Sequence, residues 1–319
     1  MKKITKTASK LLATLAMGSL CTLSTVSAAD NYPNRPVKFV VPWPAGDLED
    51  ILTRIIAEQM ARDTRKPATV VNKAGGGGVI GASSVAKARA DGLTIGSFVV
   101  DLVTTQVHGG NAPYKAADFE PVGIFLDYPM SFVVKKDAPY NSLAELADYS
   151  KSNKVRLGHF GYQALPTALA FQTADQLGIN FSSDAPFDAL DCSTLSNGDA
   201  DIITANTVSV LACLKSDEVK ILASMTRDRL VIAPQVPTLA EETGITLTPW
   251  NGLFVKKGTS EAIKQRIAEI AQKALQTPRA QEVAESTGAG IYWIGLDNAD
   301  KVIKEDFEST KTLLKYLKN

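Results

Sequence analysis

Four groups of residues in this 319-residue chain have types and spacing that could do chemistry. The run Gly75-Gly76-Gly77-Gly78-Val79-Ile80-Gly81 lies between a β-rich stretch and a helical one. Glycines there let main-chain amides approach a guest closely, and the helix start that follows adds unpaired N–H groups and a positive dipole end, which suits an anion. A purely structural turn is the plainer alternative. Residues 76–81 also satisfy G-x-G-x-x-G, with Asp101 at the distance of a ribose-binding acid. The loop runs from Asn72, too long for a tight dinucleotide turn, and an export leader carries the chain away from nicotinamide pools. No cofactor is expected.

Asp47, Glu49 and Asp50 place three carboxyls within four residues. Without a glycine-centred calcium pattern they are weak metal ligands, and no metal site is expected. Capping and solvation account for them, and binding of an amino group on a ligand is the sharper alternative. Only two histidines exist, His108 and His159, and neither sits in a hydrolase or zinc-protease context, so no catalytic residue is assigned and the chain is not expected to be an enzyme. Cys192 and Cys213 lack the neighbours of a zinc site. In an oxidising compartment they can pair or stay as buried thiols, and the sequence leaves both open.

The elements that must position these groups alternate. Residues 37–41 form a β-rich run, Pro42 to Gly46 leaves it, and Ile51, Leu52, Ile55, Ile56 and Met60 recur at helical spacing with Asp50 as the expected N-cap. Arg54, Glu58, Gln59 and Arg62 take the opposite face. A strand over 68–71, a helix over 82–90 and a strand over 93–100 complete a β-α-β-α-β unit, which implies an α/β fold with an open sheet. A second series follows: strands over 131–135, 155–158, 200–204 and 219–224, and helices opening at Ser142 and over 167–177 and 208–214. Two amphipathic helices near the C-terminus, over 263–275 and 299–317, close the chain.

Composition agrees with two compact domains, at 45% hydrophobic and 21% charged residues. The 34 basic and 34 acidic residues balance, which removes nucleic-acid partners and acidic disorder from consideration. Residues 1–29 read as a cleaved signal peptide: Lys2, Lys3, Lys6 and Lys10, then a short apolar run, then Ser27-Ala28-Ala29 before a cut at Asp30. Loss of those four lysines leaves a net charge of −4. Leu20 before Cys21 argues against a lipid anchor, so a soluble periplasmic protein is expected.

Tyr32-Pro33-Asn34-Arg35-Pro36-Val37, Val41-Pro42-Trp43-Pro44-Ala45-Gly46 and Asp50-Ile51-Leu52-Thr53-Arg54 together resemble the Bug family, the substrate-binding proteins of tripartite tricarboxylate transporters. Val71 to Gly75, Asp91-Gly92-Leu93-Thr94, Asp118 to Gly123, Asn197 to Asp201 and Val236 to Glu241 extend the resemblance over essentially the whole mature chain. It implies a two-lobed periplasmic-binding-protein fold of type II-like form, with open, mostly parallel sheets joined by crossing strands near Phe125 and Arg227. Lobe 1 is expected over 30–127 and 228–319, and lobe 2 over 128–227.

The resemblance further implies a monomer that closes over a small carboxylate and delivers it to the membrane subunits of a transporter. By position it gives Ala45, Gly46, Asp50, Asn72 and Gly75 to Gly78 (with Gly76 and Gly77 between) as ligand-binding residues of the first lobe. Gly161, Tyr162, Thr167, Asn206 and Thr207 follow from the second, and Asp47 joins them through the acidic cluster. Asp47-Leu48-Glu49 departs from the family's glycine and small residues, Thr167 stands where the family has a histidine, and Ala185-Pro186-Phe187-Asp188-Ala189 lacks a family lysine. These changes move the expectation from a tricarboxylate toward an amino acid or another carboxylate with a donor or cationic group. A sensory module for a periplasmic receptor, a secreted hydrolase and a non-binding paralogue remain the alternatives.

Overall fold

The computed structural model describes residues 32–316; the leader and its cleavage site lie outside them. Strands β1 (Val37–Val41), β2 (Ala68–Asn72), β3 (Thr94–Val99) and β4 (Phe119–Asp127) enter a first sheet. The chain then crosses at Tyr128-Pro129 into a second, built from β5 (Met130–Lys135), β6 (Arg156–His159), β7 (Ser183–Pro186), β8 (Ile202–Asn206) and β9 (Val219–Ser224). It returns to the first sheet with β10 (Trp250–Lys256) and β11 (Gly290–Gly295). The orders are β11-β4-β10-β3-β1-β2 and β7-β6-β8-β5-β9. Within the β-α-β units pairing is parallel, β1 with β2 and β3 and β6 with β7 and β8. The crossing strands run antiparallel: β10 lies between β3 and β4, and β5 between β8 and β9. A strand that brings the chain over from the other sheet enters at the carboxyl ends of its neighbours, Met130 beside Asn206 and Asn251 beside Val99, so it must run against them, and both sheets are mixed.

Helix α1 (Leu48–Thr64) buries Leu52, Ile55, Ile56 and Met60 against the first sheet, as the spacing requires. Its N-cap is Asp47 rather than Asp50: the Asp47 side chain accepts from the Leu48 N–H, which starts the helix three residues early. Gln59, expected on the open face, is buried. Helix α2 (Val79–Ala86) likewise opens before the expected position, directly after Gly78. Gly75, Gly76, Gly77 and Gly78 all have φ between 59° and 119°, a region that costs an L side chain, which explains why the run is glycine.

The second crossing, expected as a strand near Arg227, is an irregular segment broken by the Leu239–Thr243 helix and pinned by a single bridge between Ser224 and Thr238. Phe98, Phe119 and Phe254 pack edge-on and stacked at centroid distances of 5.3 and 5.4 Å from Phe98. Cys192 and Cys213 form a disulfide across 21 residues of the second sheet's flank. No helix among the described residues is long and apolar enough to cross a membrane.

Candidate functional site

In both β-α-β units the loops leave the sheet at the carboxyl ends of parallel strands, where such folds bind ligands. The loop after β1 and the loop after β2 are braced against each other by one network. Asp50 accepts from the Gly46 N–H (2.9 Å), from Arg54 Nε (2.9 Å) and from Asn72 Nδ2 (2.9 Å). Asn72 Nδ2 also donates to the Trp43 carbonyl, and its Oδ1 accepts from Arg54 at 3.0 Å. Burial works against the Asp50 charge, but Arg54, Gly46 and Asn72 together hold its carboxyl below the usual range. Asp50 and Asn72 therefore shape the site by fixing its two loops, and Gly46 is committed to the same brace.

Two neighbouring cavities lie where the two sheets face each other. The inner one, about 80 Å³, is lined by Trp43 and Asp47 from the first loop, Val99 and Asp101 at the end of β3, and Tyr128 and Met130 at the crossing. Phe160, Ala164, Pro166 and Asn206 contribute from the second sheet's loops, and Pro249 precedes β10. The outer one, about 290 Å³, takes Gly76, Gly77, Gln106 and Asn111 from one side and Phe160, Gly161, Tyr162, Gln163 and Ala164 from the other. Phe160 and Ala164 line both and so form their common wall.

The sheets meet through direct bonds around these cavities. Asp101 Oδ2 accepts from the Leu165 N–H at 2.9 Å, at the start of the Leu165–Leu177 helix, whose own N-cap residue Ala164 supplies no side-chain bond. Asn206 Nδ2 donates to Asp47 Oδ1 (3.4 Å), and Thr105 Oγ1 donates to the Gln163 carbonyl (2.6 Å). The Tyr128 hydroxyl donates to Asp47 and accepts from the Glu49 N–H.

The electrostatics are those of unrelieved acids. Burial raises the Asp47 carboxyl above its usual range despite its bonds to Leu48, Tyr128 and Asn206. Burial also lifts Asp101, 6% exposed, to about 6. Glu49 is wholly buried with neither carboxyl oxygen partnered, and burial together with Asp47, Asp50 and Asp101 raises it well above the normal range. Among the described residues no group of three or more His, Cys, Asp or Glu could hold a metal ion.

Beside the brace of Gly46, Asp50 and Asn72, the expected site residues fall into three further sets. Asp47 and Asn206 line the inner cavity and Gly76, Gly77, Gly161 and Tyr162 the outer one. Gly75 and Gly78 shape the glycine turn, where the Gly78 N–H returns to the Gly75 carbonyl, while Ala45 is exposed beside Gly46. Thr167 and Thr207 are wholly buried away from both cavities; Thr207 Oγ1 donates to the Thr287 carbonyl, and Thr167 Oγ1 finds no partner. Sequence reasoning missed Trp43, Tyr128, Phe160, Gln106 and Asn111, and noted Asp101 only as part of a dinucleotide pattern. Tyr128 and Met130 adjoin the crossing after β4, so the crossing itself was the available signal. His159 is buried, with Nδ1 accepting from the Gly161 N–H and Nε2 facing Asp184 at 3.2 Å; His108 Nε2 donates to the Phe307 carbonyl.

Two α/β sheets exchanging strands, with a cavity walled by both, define a solute-binding protein. The model of the tripartite tricarboxylate transporter family receptor, TctC, matches residues 52–318. Protein BugT of Bordetella pertussis is 31% identical over 276 residues, covering 82% of this chain and 83% of that one. The solved structure of the periplasmic binding protein BugD superposes with a TM-score of 0.77 at 28% identity, over 90% of this chain and all of the other. MatC from Rhodopseudomonas palustris with bound malate has the same fold, with a TM-score of 0.75 at 23% identity over 89% of this chain and 100% of that one. The chain belongs to the TctC (Bug) family of periplasmic solute-binding proteins, whose fold is that of binding proteins and not of enzymes.

Proposed function

We propose that the protein, exported to the periplasm by its cleaved leader, captures a small organic carboxylate between two lobes and presents the closed form to the membrane subunits of a tripartite tricarboxylate transporter. The lobes are residues 30–127 with 228–319, and residues 128–227. One observation carries this reading: each cavity is walled by both sheets, with Gly76, Gly77 and Gln106 facing Gly161 to Ala164 across the outer one. A guest there gains contacts that exist only when the sheets approach, so its binding energy goes into closure. Glycine amides and the Gln106 and Asn111 carboxamides are donors suited to a carboxylate. The malate carried by MatC, a protein of the same fold, agrees with such a guest.

The test is solution scattering and thermal melting of the mature protein with a panel of mono-, di- and amino-carboxylates. Compaction together with a raised melting temperature for one class is expected; no response to any carboxylate defeats the reading. Co-purification with transporter membrane subunits is the expected association, and co-purification with a receptor kinase would replace transport by sensing.

A further inference from the structure

We propose that the inner cavity seats an ammonium group, so that the solute is a zwitterion whose positive end lies beside Asp47 and Asp101 against the rings of Trp43, Tyr128 and Phe160. This rests on the reading above, in which the carboxylate end occupies the outer cavity.

The walls of the inner cavity supply negative charge with nothing to balance it. No lysine, arginine or histidine is found among the described residues that line it, while two carboxyls do. Arg54, the cation of the neighbouring brace, is bonded to Asp50 and Asn72. The charged group acting on Asp47 is Asp50, itself an acid, and among the described residues Asp101 is met by main-chain N–H groups.

Glu49 adds a further buried acid beside Asp47 in the chain. It is a fully buried carboxyl with no partner for either oxygen, at the second residue of α1 directly beyond Asp47. Asp47 and Asp101 share one desolvated space, where like charges are costly, and a guest of the opposite sign lowers that cost.

The remaining wall is aromatic. Trp43, Tyr128 and Phe160 line this small cavity, and aromatic π faces attract an ammonium and repel a carboxylate; the Trp43 Nε1–H, buried without a partner, is the one ring donor left for an acceptor atom of the guest. A second ligand carboxylate placed here would meet Asp47 and Asp101 in a poorly solvated space, where like charges repel strongly. Asp101 already occupies the Leu165 N–H, the helix-start donor that such a carboxylate would otherwise use. Asp47 is bonded to Asn206 and Asp101 to Leu165, so an ammonium beside them would also tighten the junction of the two sheets.

Isothermal titration of the mature chain decides the matter, with α-amino acids and straight-chain ω-aminoalkanoates of graded length set against the dicarboxylate, alkanoate and alkylamine of each length. At least one amino-carboxylate is expected to bind about tenfold or more tightly than its matched dicarboxylate and alkanoate. Asp47→Asn and Asp101→Asn should each weaken that probe about tenfold or more. Asparagine still caps α1 at position 47 and still accepts from Leu165 at position 101, and melting curves verify that both variants fold. A dicarboxylate or alkanoate that binds as tightly as the best amino-carboxylate overturns the inference and leaves the carboxylate reading standing. An alkylamine that gains nothing from an added carboxylate supports the ammonium seat and overturns that reading instead. Folded variants that bind the probe like the wild type overturn the inference, and a chain that binds no probe overturns both.

Discussion

Replacing Asp101 by asparagine should make the empty protein more stable at neutral pH while spoiling its site. Asp101 is 6% exposed and burial raises its carboxyl to about 6, against about 3.9 in an unfolded chain. A raised pKa means the folded state holds the proton more tightly. The stabilising contribution is therefore complete below about pH 4 and is lost as pH climbs through about 6. Two pKa units correspond to about 3 kcal/mol, which the wild type forfeits across that window and Asp101→Asn does not. Denaturant unfolding of both proteins without ligand, from about pH 4 to 7.5, reads the difference directly. Near pH 4 both side chains are neutral, both can accept from Leu165, and the curves should nearly coincide. At pH 7.5 the variant should be more stable by about 2–3 kcal/mol. A difference that stays constant with pH, or a variant less stable at pH 7.5, would refute the reasoning. A residue that costs stability in the empty form and faces a cavity is what a binding site tuned to a cation requires.

Asp50→Asn should act in the opposite sense. It removes a charge held by Arg54, Gly46 and Asn72, costs about 1–3 kcal/mol at pH 7, and flattens the loss of stability toward acid, since a lowered carboxyl contributes above its unfolded pKa and fails as pH falls through its folded one; the same unfolding series tests it. Opening the Cys192–Cys213 bridge by a paired serine substitution should cost about 3 kcal/mol by loop-closure entropy over its 21-residue separation, and ligand titration should be little changed because neither cysteine lines the two cavities. Gly77→Ala should weaken carboxylate binding several-fold with a stability cost of about 1 kcal/mol, because φ is 61° there and a Cβ would sit 2.6 Å from Gln106 Nε2, displacing a side chain of the outer cavity. Titration alongside a melting curve separates the two effects.

Much of the architecture was legible in the chain because it is written locally. The apolar positions of α1 recur at helical spacing, β9 carries its full strand in one run, and four consecutive glycines mark a turn only they can make. The chain marks neither β7 nor β10 nor β11 locally as a strand, and β4 is expected only as a crossing strand near Phe125. Pro121 interrupts β4, and β10 and β11 begin and end near glycines, so their extended state depends on partners over a hundred residues away. Asp50 was read as a cap because it precedes the apolar run. In the fold Asp47 takes that role, and Asp50 turns to bind Arg54 and Asn72.

By itself, then, the sequence determined the alternation of strand and helix, the glycine turn, the family and the excess of carboxyls in the first loop, since each is a matter of composition or short-range spacing. Only the tertiary structure decided which carboxyls meet. Asp47, Asp101, Tyr128, Phe160 and Asn206 come from five separate strand ends and share one cavity because the chain crosses between sheets, and no local pattern records that crossing. Whether Asp101 is an ordinary solvated acid or an unbalanced buried one, and so what charge the site prefers, follows from desolvation by residues remote in the chain, a quantity that exists only once the two sheets have packed together.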